Sequence, residues 1–149
     1  MVSKITLFIL LTWGFVVNAQ SQTPTTKEGV KVDTTLVPVM SFDKKKVNLG
    51  TIKAGKTPEM IFTFKNTGKK DLDILIVTAC ECTELDWTRT TVKVGETGFI
   101  KALFHSDEID EEDLKKPLKK SIDIILKQTD PILDYPIVEI LDFEVIVNE

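Results

Sequence analysis

The residues most capable of special chemistry are the two cysteines, Cys80 and Cys82, which are separated by one residue. In an extended strand their side chains would lie on the same face with Cα atoms about 6.6 Å apart, which is near the upper limit for a disulfide. A regular strand would strain that bond, and Glu81 forms the required kink less readily than a glycine would. Three interpretations stay open: a structural disulfide or two buried thiols, a strained redox-active pair, and a metal site in which the cysteines supply two of the four ligands of zinc.

The other polar side chains do not form a recognisable catalytic pattern. His105 is the only histidine, which leaves little room for a Ser-His-Asp triad. Glu81, Glu84 and Asp86 lie close to the cysteines in sequence and are expected to belong to a solvated loop. The acidic run over residues 107–113 lacks the residue order of an EF-hand calcium loop. The sequence therefore favours a non-enzymatic protein with no catalytic residue, no metal site and no cofactor.

The N-terminus has the pattern of an export signal. Lys4 precedes an apolar run from Ile5 to Val17, which is too short to span a bilayer comfortably, since spanning needs about 20 apolar residues. Val17 and Ala19 then match the small-residue positions of a cleavage site. We predict that residues 1–19 are a signal peptide that is removed, and that the protein is periplasmic or extracellular, where disulfides persist.

Composition limits the classes of partner. The net charge of −4 provides no basic footprint for nucleic acid and does not favour binding to anionic lipid. A length of 149 residues suggests one domain. We expect a polar, threonine-rich flexible lead over residues 20–37, followed by one domain over residues 38–149 without a membrane span.

From residue 38 onward, apolar and polar side chains alternate in short segments separated by turn residues, as in β-strands. The segments over residues 60–65 and 72–77 flank a turn over residues 66–70, and we interpret the pair as a hairpin. About seven or eight such strands, without a long amphipathic helix, predict an all-β protein with a two-sheet β-sandwich fold. A small barrel is the alternative.

The alternation also makes two local predictions. Leu72, Ile74 and Ile76 should share one face of their strand. Ser106 is placed to cap a short helix in the acidic segment, and Pro117 should end that helix.

Four short motifs, in this order and spacing, resemble a known family. They are Asn48-Leu49-Gly50-Thr51-Ile52, Phe62-Thr63-Phe64-Lys65-Asn66-Thr67-Gly68, Cys80-Glu81-Cys82-Thr83 and Val94-Gly95-Glu96. The chain resembles the bacterial domain-of-unknown-function family 1573 over residues 42–104. This resemblance implies an exported, immunoglobulin-like sandwich related to the major sperm protein and to cilia-associated domains, with adhesion or assembly as its usual suggested role.

Two hypotheses of different classes agree with these observations. The first is an exported, non-enzymatic β-sandwich that binds an unidentified protein partner or supports an envelope assembly, because such folds present strand edges and loops to partners. The second is a thiol-based redox or metal-binding protein that acts through Cys80 and Cys82. We favour the first, since no catalytic constellation accompanies the cysteines. The sequence specifies neither the partner nor the oligomeric state.

Overall fold

The computed structural model describes residues 40–130 and 133–149, and the predicted signal peptide and flexible lead lie outside this part of the chain. The described residues form eight β-strands and one short 3-10 helix. The strands are β1 (Met40–Phe42), β2 (Lys46–Lys53), β3 (Glu59–Asn66), β4 (Ile74–Thr78), β5 (Thr83–Trp87), β6 (Thr97–Phe104), β7 (Pro117–Thr129) and β8 (Pro136–Asn148), and the 3-10 helix is Glu111–Asp113.

The strands form two four-stranded sheets, and the prediction of an all-β sandwich is confirmed. Sheet 1 has the order β1-β3-β6-β5 and sheet 2 the order β2-β8-β7-β4. Neighbouring strands are antiparallel, except that β2 runs parallel to β8. The described residues belong to a single compact unit. They include no helix of the length and hydropathy needed to cross a membrane.

The core lies between the two sheets and is filled by alternate residues of the strands. In β3, Met60, Phe62 and Phe64 are buried, whereas the residues between them are exposed. Phe104 of sheet 1 meets Phe143 of sheet 2, with ring centroids 5.4 Å apart in an edge arrangement that aromatic quadrupoles favour. Each such side chain contributes about 1.5–3 kcal/mol when it is fully buried. Because this alternation places apolar side chains on the inner face of each sheet, their burial holds the two sheets together.

The predicted hairpin between residues 60–65 and 72–77 is wrong. β3 pairs with β1 and β6 in sheet 1, whereas β4 pairs with β7 in sheet 2. The segment between β3 and β4 therefore crosses from one sheet to the other. Glycine and asparagine serve a hairpin turn and a corner between sheets equally well, so local sequence does not distinguish the two.

Asn66 holds this crossing in place. Its side chain is buried, and its Nδ2 donates hydrogen bonds to the carbonyl oxygens of Lys70 and Val92 at 2.8 and 3.0 Å. Its Oδ1 accepts a third bond from the amide of Gly68 at 3.1 Å. The amide group therefore ties the segment after β3 to Val92, whose backbone also pairs with Leu72 in an isolated antiparallel bridge.

The predicted common face of Leu72, Ile74 and Ile76 is interrupted by a β-bulge. The register between β4 and β7 shifts at Leu75, which is the extra residue of the bulge. Leu72 and Ile74 are buried, Leu75 and Ile76 are exposed, and Val77 is buried again. The bulge therefore turns two consecutive apolar residues toward solvent.

The predicted capping role of Ser106 is also wrong. Asp110 precedes the 3-10 helix and makes no side-chain capping bond, and Pro117 begins β7. Ser106 is buried, and its Oγ accepts a hydrogen bond from the Lys56 amide at 2.9 Å and donates one to the Lys56 carbonyl at 2.7 Å. It therefore fixes the loop between β2 and β3 beneath the end of β6.

Candidate functional site

Cys80 and Cys82 lie in the turn between β4 and β5, where their sulphur atoms form a disulfide. Their Cα atoms are 5.2 Å apart, which is inside the common range for disulfides and shorter than the spacing of a strand. The Thr83 amide donates to the carbonyl oxygen of Cys80 at 3.0 Å and closes the turn. Glu81 does not have a positive φ, so this turn needs no glycine.

The position of the disulfide gives it a structural consequence. β4 is an edge strand of sheet 2 and β5 is an edge strand of sheet 1, so the turn carries the chain from sheet 2 back to sheet 1. Cys82 is buried and Cys80 is half-buried, and the Sγ of Cys80 lies 3.2 Å from the Oγ1 of the buried Thr83. The disulfide therefore constrains the turn that connects β4 of sheet 2 to β5 of sheet 1.

A small hollow of about 190 Å³ opens beside the disulfide. The residues that line it include four acidic ones and one lysine, namely Glu81, Glu108, Asp110, Asp113 and Lys120. This excess of negative charge opposes the approach of an attacking thiolate and the formation of a thiolate on either cysteine. Reactive cysteines are usually found in electropositive surroundings, whereas the hollow beside this disulfide is electronegative.

His105 follows β6 and contacts the cysteine turn through its backbone. Its amide donates to the carbonyl oxygen of Cys82 at 2.9 Å, and its Nε2 lies 3.7 Å from the Oε2 of the exposed Glu84. Across residues 40–130 and 133–149, no group of three or more His, Cys, Asp or Glu side chains is arranged to hold a metal ion. The structure thus brings His105 near the cysteines without assembling a ligand set there.

A larger hollow of about 440 Å³ lies where β2, β7 and β8 run side by side. Lys46, Lys119 and Lys120 contribute to its lining together with Asp142 and Glu144. Lys46 lies 3.8 Å from Asp142, and Lys119 lies 3.3 Å from Glu144. These opposite charges largely balance the lysines, so the hollow is not built as an anion site.

The sequence reasoning missed the apolar surface on the outward face of sheet 2. Ile76 of β4 pairs with Ile125 of β7, which pairs in turn with Val138 of β8, so the three side chains form a row across three strands. Leu75 and Ile140 flank this row and are 55% and 52% exposed. Ile76 and Val138 are also exposed, and Ile125 is half-buried. We call these five residues the outer patch.

One sequence signal for the outer patch was available. In the run Ile137-Val138-Glu139-Ile140-Leu141, both faces of the strand are largely apolar, whereas a strand with one solvated face should alternate cleanly. The bulge at Leu75 has no such signal, because bulges depend on the pairing partner. Val138 and Ile140 of the outer patch could therefore be predicted from the sequence, whereas Leu75 and Ile76 could not.

Comparison with solved structures identifies proteins of similar fold. The chain matches the ASH/PapD-like domain 7 of human CEP192 with a TM-score of 0.50 and 11% identity, over 74% of this chain and 85% of that one. It also matches a protein of unknown function from Porphyromonas gingivalis W83 (TM-score 0.58, 18% identity, 72% of this chain and 46% of that one). A third match is the VesB protease of Vibrio cholerae (TM-score 0.53, 14% identity, 71% and 31%).

These identities establish the fold alone, an immunoglobulin-like β-sandwich that is similar to the PapD-like domain. The chain spans less than half the length of the Porphyromonas and Vibrio proteins. The model of the family described as protein of unknown function (DUF1573) matches residues 40–132, so the chain belongs to this family, and the resemblance read from its motifs is confirmed. The search of curated proteins finds no match.

Proposed function

We propose that this protein is an exported, non-enzymatic β-sandwich that binds a protein partner through the outer patch and so supports an assembly of the cell envelope. The observation that carries the proposal is the outer patch itself. Single exposed apolar residues are normal on a protein surface, whereas contiguous ones indicate an interaction site. The outer patch is contiguous because its central row follows paired positions on three strands.

The surroundings of the outer patch resemble the anatomy of a protein interface. On β7, Asp123 lies beside Ile125 and pairs with Thr78 and Ile140. On β8, Asp142 follows Ile140 along the same face. An apolar centre with a polar rim is typical of interfaces between proteins. Because the centre is about half exposed, covering each of its side chains should contribute about 1 kcal/mol.

Two further features support the proposal. The PapD-like fold agrees with a binding role, although fold analogy is by itself a weak argument for function. The carboxylates beside Cys80 and Cys82 oppose thiolate chemistry, so they do not favour the alternative of a redox or metal-binding protein acting through these cysteines.

The test is site-directed photo-crosslinking in intact cells. A photo-reactive amino acid is placed at Leu75, at Val138 and, as the control, at Ile61, which is 46% exposed on the outward face of sheet 1. We expect a specific protein adduct from the first two positions and none from the control. The proposal fails if Leu75 and Val138 capture nothing, or if Ile61 captures the same proteins equally well.

A second experiment separates the two hypotheses. The variant in which Cys80 and Cys82 are both replaced by serine should keep the adduct from Leu75, because the disulfide only constrains the turn after β4. An adduct that disappears while the circular dichroism spectrum is unchanged would instead favour a redox function. Fractionation of the same cells should recover the protein outside the cytoplasm.

A further inference from the structure

Asp123 of β7 differs from every other carboxylate on the strands of the described structure. Six strand carboxylates lie between 2.6 and 3.9 Å from a lysine, arginine or histidine nitrogen, namely those of Glu59, Glu84, Asp86, Glu139, Asp142 and Glu144. The carboxylate of Asp123 has neither an ion pair nor a hydrogen bond with another described residue. It is therefore the one strand carboxylate in this part of the chain whose charge no other described residue balances.

The position of Asp123 places it beside the outer patch. It lies two residues before Ile125 on β7, so both side chains leave the same face of sheet 2. It pairs with Ile140 on β8 and with Thr78 on β4. Asp123 is half-buried, and the apolar residues of the outer patch therefore border an unbalanced negative charge.

The lysines on this face of sheet 2 do not balance that charge. Lys119 lies 3.3 Å from Glu144, and Lys46 lies 3.8 Å from Asp142, so both ammonium groups have carboxylates of their own. The Lys46 side chain is 83% exposed, which makes its pair with Asp142 weak. Asp142 is also the diagonal neighbour of Asp123 across the pairing of β7 with β8. This margin of the outer patch therefore carries a net negative charge.

A partner that covers the outer patch also removes water from Asp123. An ionised carboxylate that loses water without gaining a counter-charge opposes binding. A basic side chain on the partner removes this penalty. Arginine suits the position best, because its guanidinium is weakly hydrated and can donate two hydrogen bonds to one carboxylate. The apolar residues around Asp123 require apolar side chains on either side of that cation.

We propose that the partner of the outer patch is a separate protein that presents a basic side chain between apolar ones, and that this cation pairs with Asp123. The inference rests on the proposed function, because it concerns the same outer patch and specifies the chemistry of the partner. The apolar contacts would provide most of the buried area, whereas the ion pair would decide which partner is accepted.

The first test is selection of peptides from a phage-displayed random library on the purified wild-type protein. Peptides that also bind the variant with both Val138→Ser and Ile140→Ser are removed, so that the remaining ones need the outer patch. We expect these peptides to be rich in arginine and lysine flanked by apolar residues. Selection on Asp123→Lys should instead enrich peptides with aspartate or glutamate, because the charge on the protein is reversed.

The matched control is Glu59→Lys, because Glu59 is an exposed strand carboxylate on sheet 1. Selection on this control should return the same basic peptides as the wild type. The inference is overturned if the wild-type peptides contain no excess of basic residues. It is also overturned if Asp123→Lys and Glu59→Lys change the selected charges equally.

A double-mutant cycle covers the case in which Asp123→Lys does not fold. Asp123→Asn keeps the shape of the side chain and removes its charge. A selected peptide is synthesised with its arginine or with citrulline, which is uncharged and of nearly the same shape, and calorimetry measures both affinities. On the wild type the citrulline peptide should bind about tenfold or more weakly, and on Asp123→Asn the two peptides should bind alike. Equal losses on both proteins would overturn the inference.

The failure of this inference can be told apart from that of the proposed function. If the selected peptides need Val138 and Ile140 but not Asp123, the basic partner fails and the proposed function stands. If no peptide depends on the outer patch, this inference fails, and the photo-crosslinks at Leu75 and Val138 decide the proposed function separately. A Val138 adduct that mass spectrometry identifies as a second copy of this chain would also overturn the separate partner.

Discussion

Asn66 is a polar side chain that is fully buried and makes three hydrogen bonds at the crossing between the sheets. Asn66→Ala would remove all three bonds and would leave the Lys70 carbonyl without the Nδ2 donor, whereas the Val92 carbonyl would keep its bond from the Leu72 amide at 3.0 Å. We expect the free energy of unfolding to fall by about 2–4 kcal/mol, as measured by urea denaturation. The control Asn48→Ala removes one exposed bond to Gly50 and should cost less than about 1 kcal/mol. Equal losses would contradict this account of Asn66.

The disulfide makes a different prediction at the residue scale. Because Cys80 and Cys82 are two positions apart, the bond restricts the unfolded chain little, and replacing both by serine should cost about 1–2 kcal/mol. Chemical reduction of the wild type should reproduce this loss, and the circular dichroism spectrum should not change. Complete unfolding of the variant would show that the corner between β4 and β5 depends on the bond far more than its loop length implies.

Residue types were easier to predict than their partners. The sequence marks Cys80 and Cys82 as a pair and Asn66 as a turn residue. The turn that brings the sulphur atoms together is closed by Thr83, and the hydrogen bonds of Asn66 reach as far as Val92. Such contacts between distant positions follow from the fold, so sequence alone left the three interpretations of the cysteines open.

At the scale of strands, the pairing of β3 with β6 contains a close contact. Gly98 pairs with Phe64, and a Cβ atom at Gly98 would overlap the ring and lie 2.8 Å from its Cε1 atom. We expect Gly98→Ala to lower the unfolding free energy by about 1–3 kcal/mol or more, because overpacking strains a filled core. Phe64→Leu should make room, so Gly98→Ala should cost less in that background.

The control for this prediction is Gly55→Ala. Gly55 has a φ of +77°, and a Cβ atom added there would have no neighbour within 4 Å, so its cost of about 1–2 kcal/mol arises from the backbone alone. Phe64→Leu should not change that cost. A Phe64→Leu background that relieves both glycine substitutions equally would contradict a local clash at Gly98.

Strand faces could be predicted where the alternation is uninterrupted. β3 buries every second residue from Met60 to Asn66, as its pattern predicts. β4 could not be predicted, because its bulge depends on the register with β7. β5 was not identified either, because its Glu84 and Asp86 are poor strand formers. Its strand conformation is stabilised by the pairing with β6 and not by local propensity.

At the scale of the whole molecule, export remains a prediction that one mass measurement checks. The intact protein recovered from cells should begin at Gln20, and it should weigh two hydrogens less than its reduced form. Cys80 and Cys82 should react with an alkylating reagent only after reduction. A protein that keeps Met1 would contradict the predicted cleavage, and immediate alkylation of both thiols would contradict the disulfide.

The class of fold could be predicted because the number of strands and the order of the motifs can be read directly from the amino-acid sequence. The order of strands within each sheet could not, because it depends on pairings between distant segments. The predicted hairpin of β3 with β4 failed for this reason. Consecutive strands are neighbours in most folds, and here the chain changes sheets instead.

The parallel pairing of β2 with β8 has a consequence for the order of events in synthesis. Lys46 pairs with Asp142 and Lys53 with Asn148, so an early strand of the domain is matched to its last one. A ribosome finishes β2 long before its partner exists, and such distant pairing closes slowly. Sheet 2 can therefore be completed only after β8 has left the ribosome, whereas all four strands of sheet 1 are available earlier.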